Sequence, residues 1–246
     1  MEPNREMTFK TVKNKAAARV KVRFVALPLA LSFAALAGGI MILSVALPRT
    51  AQGARAQAAI TTANVRVGET EAGNIVADAV RAAGGADIAF VPAAAFRPGA
   101  SVARPATGEQ AAGLVEPSSD IVVVLNLRGD QIMAALERSV SFAPQPSAGF
   151  LQVSGLRFTF DARKEGGKRV SATQVNGAAL EAAKTYRVAT TRPLANGQQG
   201  YFQIWDKSAI ASDTGKSLAG ALNDLAKARS GSLSASVDGR IKEAGA

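Results

Sequence analysis

The chain has 246 residues, 48% of them hydrophobic, with no cysteine and no histidine, enough for one or two domains with a sizeable core. Without imidazole or thiol it builds no Ser-His-Asp or Cys-His nucleophile system, no His general base, no disulfide framework and few transition-metal sites. The net charge of +10 marks no nucleic-acid face: half of it lies in residues 1–23, where seven Lys/Arg oppose only Glu2 and Glu6, and Arg49 and Arg55 add two more.

The basic N-terminus, 1–23, leads into Phe24 to Leu47, a segment of 24 residues without a charge. As a helix it measures about 36 Å, enough to cross a bilayer. It exceeds the hydrophobic region of about 7–15 residues of a secretory signal, although Ala54-Arg55-Ala56 also fits a small-x-small cleavage site. A retained single-pass anchor in the cell membrane is therefore expected. Lys10, Lys13, Lys15, Arg19, Lys21 and Arg23 flank it, which puts the N-terminus in the cytoplasm and the rest of the chain in the periplasm or outside the cell. Residues 48–62, rich in Ala, Gln and Thr, read as a linker to a domain over 63–246.

In that domain Ala63 to Val67 alternates like a short strand. Thr70 is placed to cap a helix with Ile75, Val76, Ala79, Val80 and Ala83 inward and Gly84-Gly85 as its stop. Asp87 to Val91 reads as a buried strand, and a long loop runs from Ala93 to Thr107. Thr107 and Gln110 form a capping box for a helix ending near Leu114. After the turn Pro117 to Asp120, Ile121 to Leu127 is a strand, and Asp130 caps a helix over Gln131 to Val140 with Ile132, Met133, Leu136 and Val140 inward.

The firmest element is GFLQVSGLRFTFD, Gly149 to Asp161, read as a central strand interrupted by a bend at Ser154-Gly155. Turns follow at Arg163 to Lys168 and Asn176-Gly177. Lys184 to Thr191 returns as a strand, Ala195 to Tyr201 is a polar loop, Asp213 or Thr214 starts a last helix, and Gly239 to Lys242 adds an edge strand. Helices interleaved with tightly connected strands predict an α+β domain with a mixed sheet.

The order of these elements resembles the C-terminal domain of the 5'-nucleotidase family, which includes ecto-nucleotidases and UDP-sugar hydrolases, over about residues 63 to 242. The residues that carry the likeness are Glu69-Thr70-x-x-Gly73-Asn74-Ile75-Val76-Ala77-Asp78, Ala86-Asp87-Ile88-Ala89, Phe96-Arg97, Phe150-Leu151-Gln152-Val153-Ser154-Gly155-Leu156, Tyr186-Arg187-Val188-Ala189-Thr190 and Leu194-Ala195-Asn196-Gly197-x-x-Gly200-Tyr201. In that family an N-terminal metallophosphatase domain holds two metal ions with His, Asp and Asn ligands, and the C-terminal domain grips base and ribose. A chain without histidine cannot hold that metal pair. The resemblance thus implies no catalytic residue, metal site or cofactor here, and a binding or scaffolding module that does not hydrolyse nucleotides alone. The alternative is the substrate-binding half of a split nucleotide hydrolase that works with a separate metallophosphatase chain.

The family's substrate-contacting Asn-Gly-Gly-Gly-x-Arg loop stands here as Pro92-Ala93-Ala94-Ala95-Phe96-Arg97. Its Pro-Phe-Gly-Asn turn stands as Pro117-Ser118-Ser119-Asp120, its second stacking Phe falls at Pro193, and its ribose-binding Asp falls at Gln199. A stacked base contributes about 1–3 kcal/mol, so the loss of both rings implies weak or absent nucleoside affinity. Arg97 is retained and suits a phosphate or carboxylate; its other reading is a loop arginine held by a neighbouring carboxylate or by solvent. Phe96, Asn196 and Tyr201 complete the candidate substrate-binding set for a nucleotide or other phosphate-bearing small molecule, with Phe96 also readable as a core plug and Tyr201 as a loop-packing residue.

Overall fold

The computed structural model describes residues 59–245. The expected basic N-terminus, the apolar span 24–47 and most of the linker lie outside the described residues. Among the described residues no helix is long and apolar enough to cross a membrane.

In chain order the elements are β1 (Ile60–Thr61), α1 (Glu71–Gly84), β2 (Ile88–Pro92), β3 (Ser101–Val102), α2 (Gly108–Ala112), β4 (Ile121–Arg128), α3 (Gly129–Ser139), β5 (Leu151–Ser154), β6 (Leu156–Phe160), β7 (Val170–Val175), β8 (Ala178–Ala179), β9 (Thr185–Thr191), α4 (Arg192–Ala195), β10 (Ile210–Ser217), α5 (Leu218–Ala228) and β11 (Ile241–Glu243). They form the expected α+β arrangement, but with two mixed sheets and a ribbon instead of one sheet. One sheet has the order β10-β4-β9-β2-β5, a second the order β11-β6-β7-β8, and β1 pairs with β3. Only the β2–β9 and β6–β11 pairs are parallel.

Strand β4 lies inside the sheet between β10 and β9, and Val122, Val123, Val124 and Leu125 are all buried, the continuous apolar run of a strand covered on both faces. Helix α1 lies across β2, β9 and β5 and is backed by α5. The Thr70 hydroxyl accepts from the Gly73 N–H at 2.9 Å, and Gly85 closes the helix in the left-handed region at φ 52. The Thr107–Gln110 capping box forms as the spacing predicts.

Four expectations are corrected. The linker ends before residue 60, because Ile60 is buried and pairs with Val102. Ala63 to Val67 is a run of turns and not a strand; the carbonyls of Val65 and Gly68 are taken by the buried Gln152 amide at 3.0 and 2.7 Å, which replaces a strand neighbour. Asp130 is not the cap of α3: the helix begins at Gly129 after Arg128, whose N–H is accepted by the Gln131 side chain at 3.0 Å. Asp213 and Thr214 lie inside β10, paired to β4, and Ser217 caps α5 instead. Strand pairing along β4 outcompetes the local preference of Asp and Thr for a cap.

The segment read as one central strand is two. β5 is an edge of the five-stranded sheet, and β6 belongs to the other sheet. The hinge is Gly155 at φ 72, where a Cβ would overlap the Asp87 carbonyl. Both the left-handed backbone and the close approach require glycine. Gly155→Ala is expected to cost about 2 kcal/mol or more, read as a lower urea midpoint at unchanged m-value.

Candidate functional site

Strands β2 and β9 run parallel and both end at one side of the sheet, at Pro92 and Thr191. The rim beyond the carboxyl ends of such strands is where open sheets commonly bind ligands. A cleft of about 110 Å³ lies there, lined by Pro92, Ala94 and Ala95, by Glu116, Pro117 and Asp120, and by Thr191, Pro193, Leu194, Gln198 and Gln199. Pro92, Ala94, Ala95, Pro117, Asp120, Pro193 and Gln199, which the family resemblance places at the substrate grip, all line this cleft, and Phe96 and Arg97 do not. Three prolines carry no N–H, and the cationic side chains are absent from the lining, which offers the carboxylates Glu116 and Asp120. Burial pushes the Asp120 carboxyl up from its ordinary value.

The four candidate residues do not converge. Arg97 is exposed, with its Nε 3.5 Å from Glu116 Oε2, an ion pair in solvent that contributes little. Together with Phe96 it lines a neighbouring cleft of about 290 Å³ beside Thr62, Asn64 and Pro98, while the Phe96 ring itself is buried. Asn196 is exposed behind α4, its N–H donating to the Arg192 carbonyl at 3.0 Å. Tyr201 is fully buried. Its hydroxyl donates to the Gly149 carbonyl at 2.8 Å, and its ring stacks on Trp205 at 5.1 Å between centroids. Burial pushes the Tyr201 hydroxyl far up, so it stays neutral.

The donor set does not fit a dinuclear metal site. The chain has no histidine, and among the described residues no three carboxylates gather to hold a metal ion.

A second polar region escaped the motif reading. Asp78 on α1 accepts from Ser154 Oγ at 2.7 Å, from Arg240 Nη1 at 2.6 Å and from Arg229 Nη2 at 3.1 Å. Arg240 Nε also reaches Asp238 at 3.2 Å. The Asp78 and Arg240 side chains are only 15% and 14% exposed. Burial works against the Asp78 charge, but the hydrogen bonds from Arg240, Ser154 and Arg229 prevail and hold its pKa below the usual 3.8. Asp78 closes the first family motif, yet nothing in the local spacing announces a partner 162 residues away.

Two outcomes follow from these contacts. Tyr201→Phe removes one buried hydrogen bond and is expected to cost about 1 kcal/mol, measured by chemical denaturation. The folded protein binds the Asp78 proton less readily than the unfolded chain, so this carboxylate stabilises the fold above the ordinary carboxylate pKa, and the gain is lost as pH falls through its lowered value. Asp78→Asn is expected to be less stable at neutral pH and to lose less melting temperature than the parent between about pH 5 and about pH 3.

Comparison with known proteins agrees with the fold. The family model described as 5'-nucleotidase, C-terminal domain, matches residues 49–206. The trifunctional nucleotide phosphoesterase protein YfkN of Bacillus subtilis is 32% identical over 189 residues, which is 73% of this chain and 13% of that protein. The crystal structure of the 5'-nucleotidase precursor from Thermus thermophilus is 30% identical with a TM-score of 0.64, covering 77% of this chain and 40% of that one. The NAD nucleotidase of Haemophilus influenzae, 18% identical, shares the fold at a TM-score of 0.61 over 76% of this chain and 36% of its own. The chain therefore spans less than half the length of these relatives. It belongs to the family of the 5'-nucleotidase C-terminal domain.

Proposed function

We propose that this chain is a membrane-anchored, extracytoplasmic member of the family whose domain serves as a binding or scaffolding module and carries out no hydrolysis by itself. The apolar span 24–47 is the single-pass anchor, and the basic residues before it hold the N-terminus in the cytoplasm. The observation that supports the non-catalytic reading best is the cleft at the ends of β2 and β9. At about 110 Å³ it falls well short of the roughly 300–1,000 Å³ of ordinary small-molecule sites. Its two carboxylates repel a phosphate, its prolines withhold backbone donors, and no ring faces in to stack on a base.

A second reading is favoured by the coverage of the relatives. The Thermus 5'-nucleotidase precursor carries a further 60% of its length beyond the matched region on the same chain. In this reading the domain is the substrate-binding half of a split hydrolase and meets a metallophosphatase on another chain. Co-purification of such a chain with the membrane-extracted protein would favour it over the first.

The test is phosphate release from AMP and from a UDP-sugar by the purified full chain in detergent with Mg²⁺ or Mn²⁺. The expected rate is that of buffer and metal alone. Release above that level, abolished by Arg97→Ala, would overturn the non-catalytic reading.

A further inference from the structure

An open cleft of about 720 Å³ lies where the two mixed sheets meet, between the last turn of α1, the β5–β6 junction, the β7–β8 hairpin, the end of α5 and the segment entering β11. It shares no lining residue with the cleft at the ends of β2 and β9. Four guanidinium groups line it, from Arg81, Arg157, Arg229 and Arg240, against two carboxylates, Asp78 and Asp238. Two positive charges are left over, the charge of one phosphomonoester dianion.

The arginines divide into a fixed one and three at the mouth. Arg240 is committed, bonded to Asp78 through both Nη atoms and to Asp238 through Nε. The Arg229 side chain is 41% exposed and gives a single hydrogen bond among the described residues, to Asp78. Arg157 is half exposed, at 50%; its Nη1 donates to the Asp238 carbonyl at 2.5 Å and its Nη2 lies 3.4 Å from the Asp238 carboxylate, which leaves Nε as its open donor. Arg81 meets no carboxylate among the described residues; its one side-chain partner is Asn176 Oδ1 at 3.4 Å. Most donors of Arg81 and Arg229 are thus free for a ligand, and forked guanidinium groups match phosphate oxygens in pairs.

Local backbone geometry builds the opening. The bend at Gly155 leaves out a Cβ that would approach Arg81 Cδ and Nη1 to 3.0 Å, so this glycine is what lets Arg81 lie across the strand junction. The turn at Asn176-Gly177, with φ 49 and 85, folds β8 back on β7 and carries Asn176 over the same place. We propose that this cleft binds the phosphate group of a small phosphorylated molecule through Arg81, Arg157 and Arg229, on a floor fixed by the Asp78–Arg240 pair. The volume suits a ligand of mononucleotide size, and Gln174 and Asn176 supply polar contacts for its hydroxyl groups. This site does not depend on the function proposed for the domain, since it uses none of the residues of the other cleft.

The test is a thermal-shift and calorimetric titration of the full chain in detergent with three probes: inorganic phosphate, AMP and a short-chain phosphatidic acid. Binding only to a folded site raises the melting temperature with probe concentration. A saturable rise with at least one probe is expected, together with at least a tenfold loss of affinity in Arg81→Ala/Arg229→Ala and no loss in Arg97→Ala. Response to phosphatidic acid alone identifies a lipid headgroup as the source, and response to phosphate or AMP identifies a soluble one. Should the alanine variant fail to fold, Arg81→Gln/Arg229→Gln is held to the same threshold. No rise with any probe, or a double variant within tenfold of the parent, overturns the proposal.

Discussion

The first turns of α1 act as a clamp on the end of the chain, and the two sheets depend on it. Glu69 accepts the N–H groups of Asp238 and Ile241 at 2.8 and 3.2 Å, Glu71 that of Ala235 at 3.1 Å, and Asn74 donates to the Ser236 carbonyl at 2.8 Å. One turn further on, Asp78 takes Arg240. These bonds hold the segment that enters β11, which then adds to β6 in parallel. The ion pair within the clamp is largely buried, so its net contribution is small compared with the cost of removing one partner and leaving the other charge unpaired. Its value is positional, because Asp78 also receives Ser154 from β5 and Arg229 from α5. One carboxylate thereby fixes a helix, a sheet edge and the C-terminal segment against one another.

This arrangement gives a physical meaning to the residue types of the first family motif. Thr70 caps the helix, Gly73 has no Cβ because the Gln152 side chain occupies that space, and Glu69, Asn74 and Asp78 face the chain end. In the Asn196 to Tyr201 motif, Tyr201 packs in the core with its hydroxyl donating to the Gly149 carbonyl. The fold was legible for that reason: α1, β4 and the turn at Asn176-Gly177 follow from periodicity, caps and positive φ, which are local properties. What stayed hidden was non-local. The division of Gly149 to Asp161 between two sheets depends on partners far along the chain, and Gln152 satisfies the turns at Val65 and Gly68 from 84 to 87 residues away. β10 keeps Asp213 and Thr214 only because β4 lies beside it. Of the site, the positions of the cleft at the strand ends were readable from the resemblance, whereas the burial of Phe96 and Tyr201 and the arginines around Asp78 required the tertiary structure.

The two clefts have opposite electrostatics, and the contrast bears on what each can hold. At the ends of β2 and β9, Glu116 and Asp120 face the opening, and the arginines nearby are engaged elsewhere: Arg97 with Glu116, Arg192 with Asp213, and Arg138 with the Gln199 carbonyl. At the sheet junction the guanidinium groups outnumber the carboxylates. An anionic ligand that samples both is drawn to the second, because the charged groups lining it are net positive and those lining the first are net negative. Family membership describes the scaffold that both clefts share, while ligand choice is set by the side chains at each one.

The cleft at the strand ends is also hard to convert into an anion site by a single change. Pro92, Pro117 and Pro193 each delete a backbone donor, and Ala94 and Ala95 place methyl groups near the line where a ligand would approach the chain. Introducing an arginine or a ring at one position would leave the backbone donors of the three prolines missing, so a phosphate bound there would still lack partners to replace its water. Because the missing interactions cooperate at one site, their effects do not add, and the first substitution yields little. Two of the prolines sit at element ends. Pro92 ends β2 opposite Leu151, and Pro193 lies in the first turn of α4, a place where a missing N–H breaks no helical bond. Local backbone geometry therefore accounts for Pro193 without reference to any ligand.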